Sequence, residues 1–230
     1  AGMNFHLSGV DEKARNWSGL NLSGVDFRGA HLKEVHFEES QLDGVNLQNA
    51  DLSEAKLQNA NLLDANLQNA DLSEANLQNA NLLDANLQNA DLSEAKLQNA
   101  DLWQAKLQHA DLWQAKLQHA DLWGANLQHA DLSRAKLQHT NLSGVELQNA
   151  DLRRCDLFGW EQLEQVKDGG LTGSKITEED FKDKIYPEWK AETDSEWEAL
   201  TEGERMTAMQ KFHGETGMYV LDRWGNQIIP

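Results

Sequence analysis

The chain has 230 residues, enough for one large domain or two small ones, and its formal net charge is −18. This acidic balance argues against direct binding to nucleic acid or to an anionic membrane, because both need a basic face. No apolar run approaches the ~20 residues of a membrane-spanning helix. The single cysteine, Cys155, favours a reducing compartment, so we expect a cytoplasmic protein.

Residues 1–16 precede the regular part of the chain. Glu12 falls where the downstream pattern would place a large apolar residue. We therefore expect Phe5, Leu7 and Val10 to form an N-terminal cap, since the open ends of a solenoid need covering.

A repeat of five residues dominates positions 17–157. A large apolar residue recurs every five positions from Trp17 to Leu157, and two positions earlier stands a small residue that is mostly alanine. The unit reads A-(D/N)-L-x-x. A period of five fits neither a helix nor a plain strand. It does fit three extended residues that point Ala and Leu inward, followed by a two-residue corner.

A longer period of 20 residues is superimposed on the short one. Residues 51–70 and 71–90 differ only at position 56. Four units per coil predict a solenoid whose successive coils pair their backbones at about 4.8 Å. The narrow interior would hold one column of Leu or Phe beside one column of Ala.

This run of A-(D/N)-L-x-x units resembles the pentapeptide-repeat family. The resemblance implies an all-β solenoid, a right-handed quadrilateral β-helix with about seven 20-residue coils over 17–157. Some members of that family resemble DNA in size and charge and occupy the DNA-binding surface of gyrase. This chain shares the rod and an acidic face, but its core is nearly all Leu and its C-terminal region is long.

Counting units in fours assigns each side chain to one face of the rod. One face carries four successive large apolar residues just after the core leucine: Leu63, Leu83, Trp103 and Trp123. Contiguous exposed apolar surface on a soluble protein often marks an interaction site, and Trp is favoured as an anchor. We therefore predict a protein interface here, self-association included. Cover by the C-terminal segment and a neutral copied ladder are the alternatives.

The opposite face is acidic. Its outward positions include Asp51, Asp71, Asp91, Glu54, Glu74 and Glu94. Asp and Asn at the position before the leucine favour a structural role, because their short side chains bond nearby backbone at a turn. The glutamates are not needed for such a turn and make the face acidic in either case.

The repeats contain no set of residues that is typical of a catalytic site or a metal site. His109 and His129 would stack on one face and His119 and His139 on another, but two imidazoles make a weak metal site. No nucleophile stands beside a base, and His213 in the C-terminal region has no partner at a recognisable spacing. We expect no enzyme activity, no cofactor and no metal.

Residues 158–230 form a separate C-terminal region, predicted to be small and mainly α-helical. Trp160 and Leu163 would plug the last coil, and capping boxes begin at Ser195 and Thr201. The second box predicts a helix that ends at Gly214. Two short apolar runs, 218–221 and 227–229, predict a terminal hairpin. The expected contact residues in this region are Tyr219, Trp224 and Ile228, on the rod or on another chain.

Three functions follow from these observations. The first is a non-catalytic interaction or scaffolding rod that presents the apolar stripe to a protein partner of unknown identity. The second, implied by the family resemblance, is an acidic DNA mimic that binds a type II topoisomerase, gyrase. The third is a plain spacer, because the near-identical middle coils make length the most uniform property of the rod.

Overall fold

The structure is a computed structural model that describes residues 15–156, 163, 166, 171–177, 181–182, 200–221 and 227–228. From Asn16 to Asp156 the chain winds as a β-helix-type solenoid. Parallel single-residue bridges join each coil to the next, and each of them connects residues 20 positions apart, beginning with Asn16 and His36. The 20-residue period in the sequence is therefore the length of one coil.

Two kinds of backbone hydrogen bond hold each pentapeptide. Between coils, Leu52 N donates to Asp71 O over 2.7 Å, and Asp71 N donates to Ala50 O over 2.9 Å. Within the unit, Ala55 N donates to Leu52 O over 3.0 Å and closes a β-turn. Because this pattern recurs at every unit, nearly all backbone polar groups of the rod are paired as burial requires.

The second corner residue of each unit adopts a left-handed backbone conformation. Glu54 has φ of 58°, and Asn59 and Gly124 follow with 58° and 65°. Only Gly, Asn and Asp adopt this region at low cost, which explains why those residues are common at the corner position. Other residue types, such as Glu54, are held there by the bonds between coils.

The core is the double column that the sequence predicts. The Leu, Phe and Ala residues of the inward positions from Phe27 to Leu152 are almost entirely buried. Three inward positions carry a side chain with a hydrogen-bond donor in place of alanine, and each donates to a backbone oxygen: Ser40 to Phe37 O, Thr140 to Leu117 O and Cys155 to Leu132 O. Each fully buried leucine contributes about 1.5–3 kcal/mol, so this column is the main stabilising element.

The C-terminal region extends the solenoid beyond the repeats. Strand β1 (Lys175–Thr177) continues the ladder through a parallel bridge from Asp151 to Lys175, four residues longer than the earlier steps. Strand β2 (Tyr219–Leu221) pairs in parallel with β1, Lys175 opposite Tyr219. The rod is thus closed at this end by two further rungs of its own chain.

Helix α1 (Glu202–Thr216) lies between the two strands in sequence. The predicted capping box is present: Glu204 N donates to the Thr201 hydroxyl, and the Glu204 carboxylate accepts from Thr201 N. The predicted end at Gly214 is wrong. The helix continues through Gly214 to the left-handed Gly217 (φ 72°), whose N–H bonds His213 O and turns the chain into β2.

In the described part of the chain, the predicted terminal hairpin is represented by one β-bridge and one backbone hydrogen bond. Gln227 forms an antiparallel bridge with Leu221, and Ile228 N donates to Val220 O over 2.9 Å. Several predictions fall outside the described residues: the cap at Phe5, Leu7 and Val10, the plug at Trp160, the capping box at Ser195 and the contact at Trp224. None of the described helices is long and apolar enough to span a membrane.

Candidate interaction surface

The most distinctive surface of the rod is a column of four apolar side chains on one face, here called the Leu/Trp stripe: Leu63, Leu83, Trp103 and Trp123. The rings of Trp103 and Trp123 stack with centroids 4.8 Å apart and planes 23° apart. Trp123 is 40% exposed, and the other three members are half-buried. The four predicted residues therefore lie on one face, one in each of four successive coils.

Local backbone chemistry fixes the position of each stripe residue. Trp103 N donates to Asp101 Oδ1 over 3.0 Å, and Leu83 N donates to Asn81 Oδ1 over 3.1 Å. Asp and Asn side chains bond the backbone two residues ahead in this way because the tether is short. The side chain before the core leucine thus holds the backbone from which the stripe side chain projects.

Polar residues surround the stripe. Asp43 precedes it in the column and accepts a hydrogen bond from Ser23 Oγ over 2.6 Å. Asp121 lies beside Trp123 and accepts from Asn141 Nδ2 over 2.9 Å. The corner positions next to the stripe carry Asp64, Asp84, Gln104 and Gly124. An apolar centre with a polar rim is the usual composition of a protein interface.

The opposite face carries the predicted acidic residues, and its aspartates have a structural task. Asp51 Oδ1 accepts from both Ser53 N (3.1 Å) and Ser53 Oγ (2.7 Å), and Asp71 repeats these bonds with Ser73. Asp91 accepts from Ser93 N in the same way. The glutamates at the next position are exposed: Glu54, Glu74 and Glu94.

The column of aspartates on this face places like charges on successive coils. Burial raises the pKa of the Asp111 carboxyl above its ordinary value, and the charges of Asp91 and Asp131 raise it further. The hydrogen bond from Trp113 N acts in the opposite direction. At the C-terminal end of the column Asp151 is neutralised in part by an ion pair with Arg153.

The two C-terminal contact candidates that the structure describes are engaged by their own chain. Tyr219 lies in β2, its N–H donates to Ser174 O over 2.6 Å, and its ring stacks on His213 at 5.1 Å. Ile228 is partly buried against the core. These two residues therefore belong to the end of the rod, and the described residues do not bring them to the Leu/Trp stripe.

The two histidine pairs stack as predicted, with ring centroids 4.8 Å apart for His109 and His129 and 4.9 Å apart for His119 and His139. Within the described part of the chain, no group of three or more His, Cys, Asp or Glu residues is placed to hold a metal ion.

Two features of the surface were not anticipated from the sequence. Glutamines on one neutral face form a hydrogen-bonded ladder, Gln48 Nε2 to Gln68 Oε1 and Gln68 Nε2 to Gln88 Oε1, both over 2.8 Å. The solenoid also resumes after the repeats, with buried Leu171 and Ile176 five positions apart. That spacing, with a left-handed Gly173 between them, was a usable signal.

A solenoid of pentapeptide coils with an exposed apolar ladder defines a class of repeat protein, and comparison with known families agrees. A pentapeptide repeat region model matches residues 14–87, and a pentapeptide repeats model matches residues 85–124 and 124–159 in eight copies. These matches span more than half of the chain. The chain belongs to the pentapeptide-repeat family.

Solved structures include several similar proteins. HetL from the cyanobacterium Nostoc sp. strain PCC 7120, a pentapeptide repeat protein involved in heterocyst differentiation regulation, is 30% identical over 69% of this chain and 86% of its own (TM-score 0.41). QnrB1, a plasmid-mediated fluoroquinolone resistance protein, is 20% identical over 70% of this chain and 79% of its own (TM-score 0.50). No curated protein matches the sequence.

Proposed function

We propose that this protein is a non-catalytic interaction rod, and that the Leu/Trp stripe is the surface that contacts its protein partner. The stacked, partly exposed pair Trp103 and Trp123 is the observation that carries this proposal. We place the protein in the cytoplasm. The proposal includes a right-handed, quadrilateral winding with about seven coils, which the 20-residue register of a five-residue unit supports.

The rigidity of the stripe favours binding. The backbone N–H of each stripe residue donates to the Asp or Asn side chain two residues earlier, as Trp123 N does to Asp121 Oδ1, and the bonds between coils hold the backbone further, for example Gln104 N to Trp123 O over 2.8 Å. Ordering a side chain at an interface costs about 0.5–1.5 kcal/mol, and the stacking of Trp103 on Trp123 lowers that cost for these two side chains. Trp side chains also contribute the largest apolar contact area per residue.

The chain contains a matched control for testing the stripe. Residues 101–110 and 111–120 are identical in sequence, so Trp103 and Trp113 occupy the same local context on opposite faces. The test is affinity capture from the source organism's lysate with the intact chain, the double variant Trp103→Glu/Trp123→Glu and the variant Trp113→Glu. Circular dichroism and thermal unfolding verify that all three are folded.

We expect an identified partner that is retained by the Trp113→Glu variant and lost by the double variant. Loss from both variants would point to a general charge effect and contradict the assignment to one face. Unaltered binding by the double variant would show that the stripe is not the contact surface.

The acidic face supports a second candidate, a DNA mimic that binds gyrase. Its aspartates lie on successive coils, and exposed Glu54, Glu74 and Glu94 follow them at the adjoining corner. A regular row of carboxylates can attract a basic, DNA-binding surface. The test is gyrase supercoiling with the intact chain and with these three glutamates changed to Gln. Inhibition that the triple variant loses would favour this candidate, and unchanged supercoiling would remove it.

A further inference from the structure

The order of residues in the Leu/Trp stripe makes it complementary to itself. Two leucines are followed by two tryptophans: Leu63, Leu83, Trp103 and Trp123. If two copies meet face to face with their rods antiparallel, Leu83 of each lies opposite Trp103 of the other. Leu63 then lies opposite Trp123. Each of the four levels therefore contains one Leu and one Trp, and the gap between the rods is filled evenly.

We propose that the partner of the stripe is a second copy of this chain, bound antiparallel about a two-fold axis that passes between the levels of Leu83 and Trp103. This inference rests on the proposed function, because it names the occupant of the same surface. Two-fold contacts of this kind are isologous, so one patch supplies both sides of the interface.

Charges around the stripe favour this register. The face carries five carboxylates between the levels of Asp43 and Ser143, and in the antiparallel register each lies opposite a neutral residue. The facing pairs are Asp43 with Ser143, Asp64 with Gly124, Asp84 with Gln104, Asp101 with Asn81, and Asp121 with Asn61. Like charges placed opposite each other would weaken association. None of these pairs joins two acids.

Neighbouring antiparallel registers lose this complementarity. A shift of one coil toward the N-terminus places Asp84 opposite its own copy and Trp123 opposite Asp43. The equivalent shift toward the C-terminus places Asp101 opposite its own copy and Leu63 opposite Ser143. Of these three antiparallel registers only the central one covers all four apolar residues, so the sequence of the face selects one antiparallel alignment.

The interface is small, and its size sets the conditions of the test. The levels from Asp43 to Ser143 span five coil steps, about 24 Å at 4.8 Å per step. A strip of this length that is as wide as one side of the rod buries an area well below the roughly 800 Å² per partner of stable complexes. We therefore expect a reversible dimer with a dissociation constant in the micromolar range or weaker.

Sedimentation equilibrium of the full chain between about 10 µM and about 1 mM, a range chosen for that affinity, measures the association. The intact chain and Trp113→Glu should shift from one to two copies as concentration rises. Trp103→Glu should remain monomeric, because its carboxylate would lie opposite Leu83 of the other copy. Leu63→Glu is a second variant outside the Trp pair and should also remain monomeric.

Chemical crosslinking tests the orientation. In the antiparallel register, position 43 of one copy faces position 143 of the other, while the two copies of position 43 lie about 24 Å apart. A short bismaleimide should therefore join Asp43→Cys to Ser143→Cys chains in a mixture and leave either variant alone uncrosslinked. The native thiol does not interfere, because Cys155 is buried.

The outcomes separate this inference from the proposed function. A monomeric intact chain at every concentration would overturn self-association, while stripe-dependent capture of another protein would leave the proposed function standing. Crosslinking of Asp43→Cys with itself, or dimerisation of Trp103→Glu, would overturn the register. Crosslinking confined to the mixture, with dimerisation lost in both stripe variants, supports it.

Discussion

The Ser174 hydroxyl donates a hydrogen bond of 2.7 Å to the backbone oxygen of Leu147, which joins the C-terminal region to the last regular coil. Thr140 and Cys155 make the same type of bond to the coil before them, on Leu117 and Leu132. Ser174 therefore occupies the position of the small inward residue of a repeat. The residue two positions later, Ile176, occupies that of the core leucine and is fully buried.

This relationship predicts that the rung at β1 is a structural part of the rod. Ile176→Ala should lower the free energy of unfolding by about 2–5 kcal/mol, because a buried aliphatic side chain is lost and a cavity is left. The measurement is chemical denaturation together with amide hydrogen exchange at Leu152, whose N–H donates to Lys175 O over 2.9 Å.

Lys175→Ala is the matched control, since the Lys175 side chain is exposed and its backbone bonds remain. It should change neither quantity appreciably. If exchange at Leu152 is equally slow in the Ile176→Ala variant, the rung does not protect the last coil.

The repeat itself could be predicted from the sequence because its cause is local and periodic. The core column at Leu52 and Ala55 follows from a spacing that no other regular structure uses. The continuation of the solenoid beyond the array was not predicted, because the step from Asp151 to Lys175 departs from the register by four residues and the apolar spacing resumes only at Leu171. Register across an insertion depends on how the inserted residues pack, which periodicity does not encode.

For the surface, the sequence predicts which face a residue lies on but not which contacts its side chain makes. Counting the five-residue units in fours placed the Leu/Trp stripe on one face, but this counting could not predict that the ring of Trp103 stacks on that of Trp123. The end of helix α1 shows a similar limit. Gly214 and Gly217 both suit a helix end, and the turn into β2 selects the second.

The narrow interior predicts a large difference between two substitutions in one coil. Ala85 is fully buried, whereas Gln88 is partly exposed and accepts a hydrogen bond from Gln68 Nε2. Ala85→Leu should destabilise the rod by about 1–3 kcal/mol through overpacking. Gln88→Leu should cost less than about 1 kcal/mol, the net contribution of one partly exposed hydrogen bond. Urea denaturation of both variants measures the difference, and equal midpoints would contradict a tightly filled core.

The raised pKa of Asp111 predicts a pH-dependent stability. Because the folded pKa is above the unfolded value near 3.8, folding favours the protonated carboxyl. The stabilising effect is complete below that unfolded value and is lost as pH rises through the folded pKa. Asp111→Asn should therefore have a higher Tm than the intact chain at pH 7, and this advantage should disappear as the pH falls below about 3.8.

Asparagine also keeps the bond that Asp111 Oδ1 accepts from Trp113 N over 2.9 Å, as Asn141 does for Ser143 N. Asp111→Ala is the control that removes both the charge and this bond. Its Tm should lie below that of Asp111→Asn at both pH values. A Tm for Asp111→Asn that is lower than that of the intact chain at pH 7 would contradict repulsion and burial as the dominant effects.

The coil length of 20 residues predicts different consequences for two deletions that both preserve the five-residue core period. Removing residues 71–90 takes out one coil, and Leu83 with it, but every downstream side chain stays on its face and Leu63 still lines up with Trp103 and Trp123. Removing residues 106–110 moves all downstream residues to the neighbouring face and separates Trp123 from Trp103. Both variants should fold with cooperative unfolding, because repeat arrays tolerate whole units being lost. Only the longer deletion should retain stripe-dependent binding in the capture assay. Binding that survives the five-residue deletion but is lost in the 20-residue deletion would show that the partner recognises the length of the rod and not the alignment of one face, which would favour the spacer function.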